Sequence, residues 1–99
     1  MEQRYSQQQH PARLVTDGGI TFWCREVDFE ILSEPWALYA LKDGGTVKHR
    51  SIVYRINEIL EIAADNPDPQ HPTKFVPKLN PNGEKALWVN ATPMVTWSP

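Results

Sequence analysis

Three carboxylates at alternate positions, Glu26, Asp28 and Glu30, and a single thiol, Cys24, are the first residues in this chain whose types and spacing suggest chemistry. On an extended strand the carboxylates would stand about 6 to 7 Å apart along one face, and grouped carboxylates hold metals or move protons. A flat strand does not make three such groups converge on one ion, however. The same spacing is what a solvated face needs when Val27, Phe29 and Ile31 occupy the buried one, so the solvated face is the expectation. A nucleophilic cysteine needs a neighbouring base or positive charge to become a thiolate near neutrality. Of the three histidines that might serve, His10 lies in a Gln-rich stretch and His71 among prolines, where no fixed geometry is expected, and His49 belongs to a basic cluster. Cys24 shares parity with Ile20 and Phe22 and is expected as a small core residue.

That cluster, Lys48, His49 and Arg50 with Arg55 beyond and Lys42 before, is the only concentration of positive charge. With Tyr54 and Trp36 nearby it has the ingredients of a single-stranded nucleic-acid site, which joins cations to aromatic platforms. Against this, Lys48 and Arg50 can pair across strands with the acidic row. The overall balance of 10 basic and 12 acidic side chains, formally −2, also opposes the phosphate field that supplies most nonspecific affinity. Four tryptophans, Trp23, Trp36, Trp88 and Trp97, are more than one small core needs. Surface aromatics bury large areas with few rotatable bonds, so Trp36, Trp88 and Trp97 are the expected partner-binding residues. No Gly-rich loop leads into a helix, and Gly-x-Ser-x-Gly, His-Glu-x-x-His and Cys-x-x-Cys are all absent. No catalytic residue, metal site or cofactor is expected.

The elements that must position these residues follow from patterning. Residues 1–11 lack periodicity and are expected to form a flexible tail. Asp17-Gly18-Gly19 between Arg13–Thr16 and Ile20–Trp23 predicts a hairpin. In the segment after it, Ile20, Phe22 and Cys24 take one parity and Val27, Phe29 and Ile31 the other, which one regular strand cannot bury together. A bulge near Arg25 and Glu26 would absorb the slip. Asp43-Gly44-Gly45 predicts a second hairpin between Trp36–Leu41 and Thr46–Arg50.

Over residues 51–64, Ile52, Val53, Ile56, Ile59, Leu60 and Ala63 recur at the spacing of one helical face. They predict an amphipathic helix ended by Asp65-Asn66-Pro67. Pro67, Pro69 and Pro72 make the next stretch a stiff surface connector. Lys74–Val76 and Ala86–Val89 around Asn80-Pro81-Asn82-Gly83 predict a third hairpin, and Met94–Trp97 a last short strand, with Pro77 and Pro93 at sheet edges or strand ends.

Ninety-nine residues, 40% apolar and 22% charged, suit one packed domain, here residues 12–99. A chain of this length buries roughly 65% of its unfolded surface and needs no staple. The expected fold is α+β, an antiparallel sheet of five to seven strands built from hairpins with the 51–64 helix packed on one face. The lone cysteine, the polar start and the lack of a long apolar run point to a cytoplasmic protein. By elimination the expected function is that of a small non-catalytic interaction protein, an adapter, regulator or inhibitor that binds another protein through an aromatic-rich surface. A homo-oligomer is the next partner considered. The first alternative is a nucleic-acid module using Lys48, His49, Arg50 and Arg55. The second is a small-ligand protein or enzyme whose site lies between subunits, because one small domain has little room for a pocket of about 300 Å³ or more.

Overall fold

The structure, a computed structural model, describes residues 10–99. Six strands make one open sheet: β1 (Arg13–Asp17), β2 (Ile20–Val27), β3 (Ala37–Ala40), β4 (Thr46–Ile62), β5 (Phe75–Pro77) and β6 (Leu87–Ser98). Every pairing is antiparallel. β4 is the spine. Along one of its edges β2 pairs with residues 56–60 and β3 with 46–49. Along the other, β5 pairs with 60–62 and β6 with 46–58. β2 and β3 thus lie end to end, as do β5 and β6, and β1 extends the sheet outward from β2.

The expected helix over 51–64 is overturned: no helix occurs among the described residues, and the segment runs within β4 as far as Ile62. Thr46, Val47, Ile52, Val53, Ile56, Ile59 and Ile62 are β-branched, stiff at χ1 and suited to a pleated surface. Strands on both edges satisfy the β4 backbone along most of its length. The helical spacing has a local cause. Between Val53 and Arg55 the register with β6 slips by one residue, making Tyr54 the extra residue of a β-bulge. The bulge puts Val53 and Ile56, three apart, on one side, where they line a common groove. Side chains three apart on one side are otherwise a helix signature. The expected bulge near Arg25 and Glu26 is not found; β2 pairs there without a shift and ends at Val27.

The first two turns form as glycine allows. Gly18 and Gly19, at φ 59° and 81°, make the two-residue type I′ turn of the β1–β2 hairpin, and the Thr16 and Thr21 hydroxyls meet at 2.8 Å beside it. Asp43-Gly44-Gly45 joins β3 to β4. The proline connector is an ordered loop closed by Ala63 N donating to Lys74 O at 2.9 Å. Within it the Asn66 side-chain oxygen accepts from Thr73 N and Lys74 N.

The expected third hairpin forms only around its Asn80–Gly83 turn, where Leu79 and Lys85 bridge antiparallel and Asn80 N donates to Glu84 O at 2.7 Å. Its expected flanking strands are corrected: β5 and β6 do not pair with each other but follow one another along β4. The base of the turn is fixed at Ile59, whose N–H donates to Ala86 O and whose carbonyl accepts from Lys78 N. Met94–Trp97 is the end of β6, which continues through Pro93. Of the expected tail, residues 1–9 lie outside the described residues. His10 is held, its imidazole against Asp28 at 2.9 Å and its carbonyl accepting from Arg25 Nε at 3.1 Å.

The result is a single layer. Its longest dimension is 63 Å, close to the roughly 56 Å that a 17-residue strand such as β4 spans. The radius of gyration is 19.0 Å, against about 13 Å for a compact domain of this length. Among the described residues the buried apolar side chains are Cys24, Leu60 and Ala86, and Asn57 is buried with them.

Candidate interaction face

Register assigns every strand side chain to one of two faces, because antiparallel partners share a face and successive residues alternate. The front face carries Trp23, Arg25 and Val27 from β2 and Ile56, Glu58 and Leu60 from β4. Leu87 and Val89 of β6 join them. Trp23 packs against Phe75 in a tilted pair, 4.9 Å between ring centroids, at this end of the face. Beyond the bulge the same face continues with Val53 and Val47 of β4 and with Ala91, Pro93, Val95 and Trp97 of β6.

β6 carries apolar residues on its front side throughout and mixed ones on its back, where Trp88 and Met94 interrupt the polar positions. Its odd positions from Leu87 to Trp97 are all apolar and point to the front, while the even ones include Asn90, Thr92, Thr96 and Ser98. Leu87, Val89, Val95 and Trp97 are 53%, 46%, 60% and 59% exposed, because nothing among the described residues lies over them. Phe29, Ile31 and Leu32, from the segment that bridges β2 and β3, line an open groove of about 370 Å³ together with Val53 and Ile56. The front surface therefore runs from β6 across β4, where Ser51 and His49 also face forward, to that segment, where Glu30, Ser33 and Glu34 share the groove.

Charge is distributed unequally. The formal charges on front-face strand positions are Arg25 and Glu58, bonded to each other at 3.5 Å, with Lys85 also on Glu58 at 3.4 Å. The back face carries Arg13, Asp17, Glu26, Lys48, Arg50, Arg55 and Glu61. There Arg13 crosses β2 to donate to the Asn57 side-chain oxygen at 3.4 Å, and the Asn57 amide donates to Trp88 O and Asn90 Oδ1. Cys24 is fully buried on this side. Burial pushes its thiol up, the nearby Arg13 charge opposing.

The structure separates the sequence-predicted residues. Trp97 is exposed on the front. Trp88 is on the back, half-buried and edge-on to Phe22 at 5.4 Å. Trp36 is half-buried beneath the Arg50 guanidinium, 4.6 Å from its ring centre. Lys48 and Arg50 share the back face and His49 takes the front. Arg55, expected one helical turn beyond Arg50, is five strand residues away, roughly 16 Å. Arg50 lies 4.0 Å from Glu34 and Arg55 3.9 Å from Glu26. The acidic row does not form, since Asp28 and Glu30 follow the end of β2. They line a shallow opening with Glu26, and no group of three potential metal ligands converges among the described residues.

Sequence reasoning missed the β6 stripe, whose signal was an apolar residue at every odd position from Leu87 to Trp97. Comparison with family models, with curated proteins and with solved structures found no match to this chain. No helix among the described residues is long and apolar enough to cross a membrane.

Proposed function

We propose that this chain is a small non-catalytic interaction protein that works by covering its front sheet face with another protein surface. The observation that supports this reading is the β6 stripe: six successive odd positions, Leu87 to Trp97, all apolar and all on a face without a second layer. Exposed apolar patches of more than a few hundred Å² mark interaction sites in soluble proteins. Trp97 is its aromatic anchor, and Trp36 and Trp88 serve the opposite side. A cytoplasmic setting suits the free thiol of Cys24. The nucleic-acid alternative draws less support, because Arg50 and Arg55 already face Glu34 and Glu26.

The test uses neighbouring residues on opposite faces. A photo-reactive phenylalanine analogue placed at Val95 is expected to give a protein adduct when irradiated in the producing cells, and the same analogue at Thr96 is expected to give little. Equal adducts from both positions, or none from Val95 in a folded chain, would remove the reading.

A further inference from the structure

We infer that the front face is covered by a second copy of this chain, the two sheets packing face to face about a two-fold axis. This rests on the reading of the front face as an interaction face and names its occupant.

Charge is the first argument. The front-face strand charges, Arg25 and Glu58, pair at 3.5 Å with Lys85 also on Glu58, so the strand face presents no field of one sign to an acidic or basic partner. A surface of the same kind meets neither repulsion nor a stranded charge, and this chain carries one. Area is the second. A stable interface takes about 800 Å² from each partner, and the six strands, at about 3.3 Å per residue and 4.8 Å between strands, lay out roughly 780 Å² on one face. Geometry is the third. Sheets pack about 10 Å apart with strands within about 30° of each other, and a two-fold axis requires only that one patch be complementary to itself. The β6 stripe has a profile suited to that condition, with small Ala91 and Pro93 midway and larger Trp97 and Leu87 at its ends. Residues 1–9 carry Met1 and Tyr5 as their only large apolar side chains, too few to cover the face.

Pro93 bears on the mode of association. β6 is an edge strand, and edge strands invite pairing with other chains. Proline has no N–H to donate, and in a sheet it sits where that loss faces solvent. The centre of β6 is thus blunted for edge-to-edge pairing while its side chains remain available for face-to-face packing.

Sedimentation equilibrium on the purified full chain, from low to high micromolar concentration, tests the inference. The expected mass is twice the 11.4 kDa of one chain. Val89→Glu and Val95→Lys, each placing a charge in the stripe, are expected to return it to that of one chain, and Thr92→Glu on the back face to leave it doubled. Circular dichroism checks that each variant keeps its strand signal; should Val89→Glu unfold, Val95→Lys carries the test. A folded wild-type monomer that still gives a Val95 adduct with a different protein would overturn the second copy and leave the interaction reading standing. A monomer with no adduct would overturn both. A dimer unaffected by either stripe variant would overturn the face-to-face arrangement.

Discussion

Asn57 is the polar side chain on which three strands converge. It is fully buried, and it joins Arg13 of β1 to Asn90 and the Trp88 carbonyl of β6 across a back face that is otherwise held by few buried apolar contacts. Asn57→Ala leaves the Arg13 guanidinium and the Asn90 oxygen without this partner, and an unmade buried hydrogen bond costs about 1–3 kcal/mol. Urea denaturation should show a loss of that size; a midpoint equal to wild type would mean that water replaces the amide. Cys24, buried and with its thiol raised, should react with a disulfide reagent only as fast as the chain opens. Immediate reaction in native buffer would contradict its burial.

His10 behaves differently, because its hydrogen bond to Asp28 raises it above its ordinary value of 6.5. A group raised on folding contributes fully below its unfolded value and loses that contribution as pH rises through the folded one. The His10–Asp28 contact should therefore be complete below about pH 6.5 and dissolve above it. An NMR titration of the ring should move back toward 6.5 in Asp28→Asn, and an unchanged titration would deny the contact. At this scale much was legible: the core role of Cys24 followed from parity alone. Asn57 was not, since nothing in an isolated Asn announces that three strands will enclose it.

Among the elements, turns were the most readable, because positive φ has a narrow chemistry. Gly18-Gly19 and Asp43-Gly44-Gly45 specify reversals whatever surrounds them. The longest strand was the least readable. β4 places apolar residues on both faces and resets its parity at Tyr54, so its pattern imitates a helix, and only the partners at its two edges decide otherwise. β6 was hidden by Pro93, which reads as a stop but is accommodated on a free edge.

Gly45 tests the coupling between a turn and the stripe. Its φ is 95°, and a Cβ there would fall on the Trp97 indole and close to Ser98 O. Gly44, at φ 115°, has open space around it. Alanine at either position should cost about 1–3 kcal/mol of backbone strain. Only Gly45→Ala should also shift the Trp97 indole N–H resonance. A matching shift in Gly44→Ala would mean that the turn as a whole, rather than this contact, seats Trp97.

For the whole molecule the difficulty is one of layers. Ordering a residue costs roughly 1–2 kcal/mol of backbone entropy, and stable domains recover it by packing at least two layers around a shared core. One copy has a single layer, buries Cys24, Leu60 and Ala86, and leaves Leu87, Val89, Val95 and Trp97 largely in water. Its radius of gyration of 19.0 Å describes a slab rather than a sphere. If the second layer is another copy, much of the apolar burial arrives only on association, and folding is then linked to protein concentration by mass action. The melting temperature of the wild-type chain should rise steadily with concentration. That of Val89→Glu should be lower and independent of it, since a charge in the stripe disfavours the paired state whether or not the single sheet survives. Thr92→Glu, on the opposite face of the same strand, should keep the wild-type slope. A melting temperature that does not move with wild-type concentration, in a chain whose mass is that of one copy, would mean that the open sheet is stable by itself. Its hairpin turns, the Asn57 network and the cluster of Trp23, Phe75 and Leu60 would then suffice to hold a single layer in water.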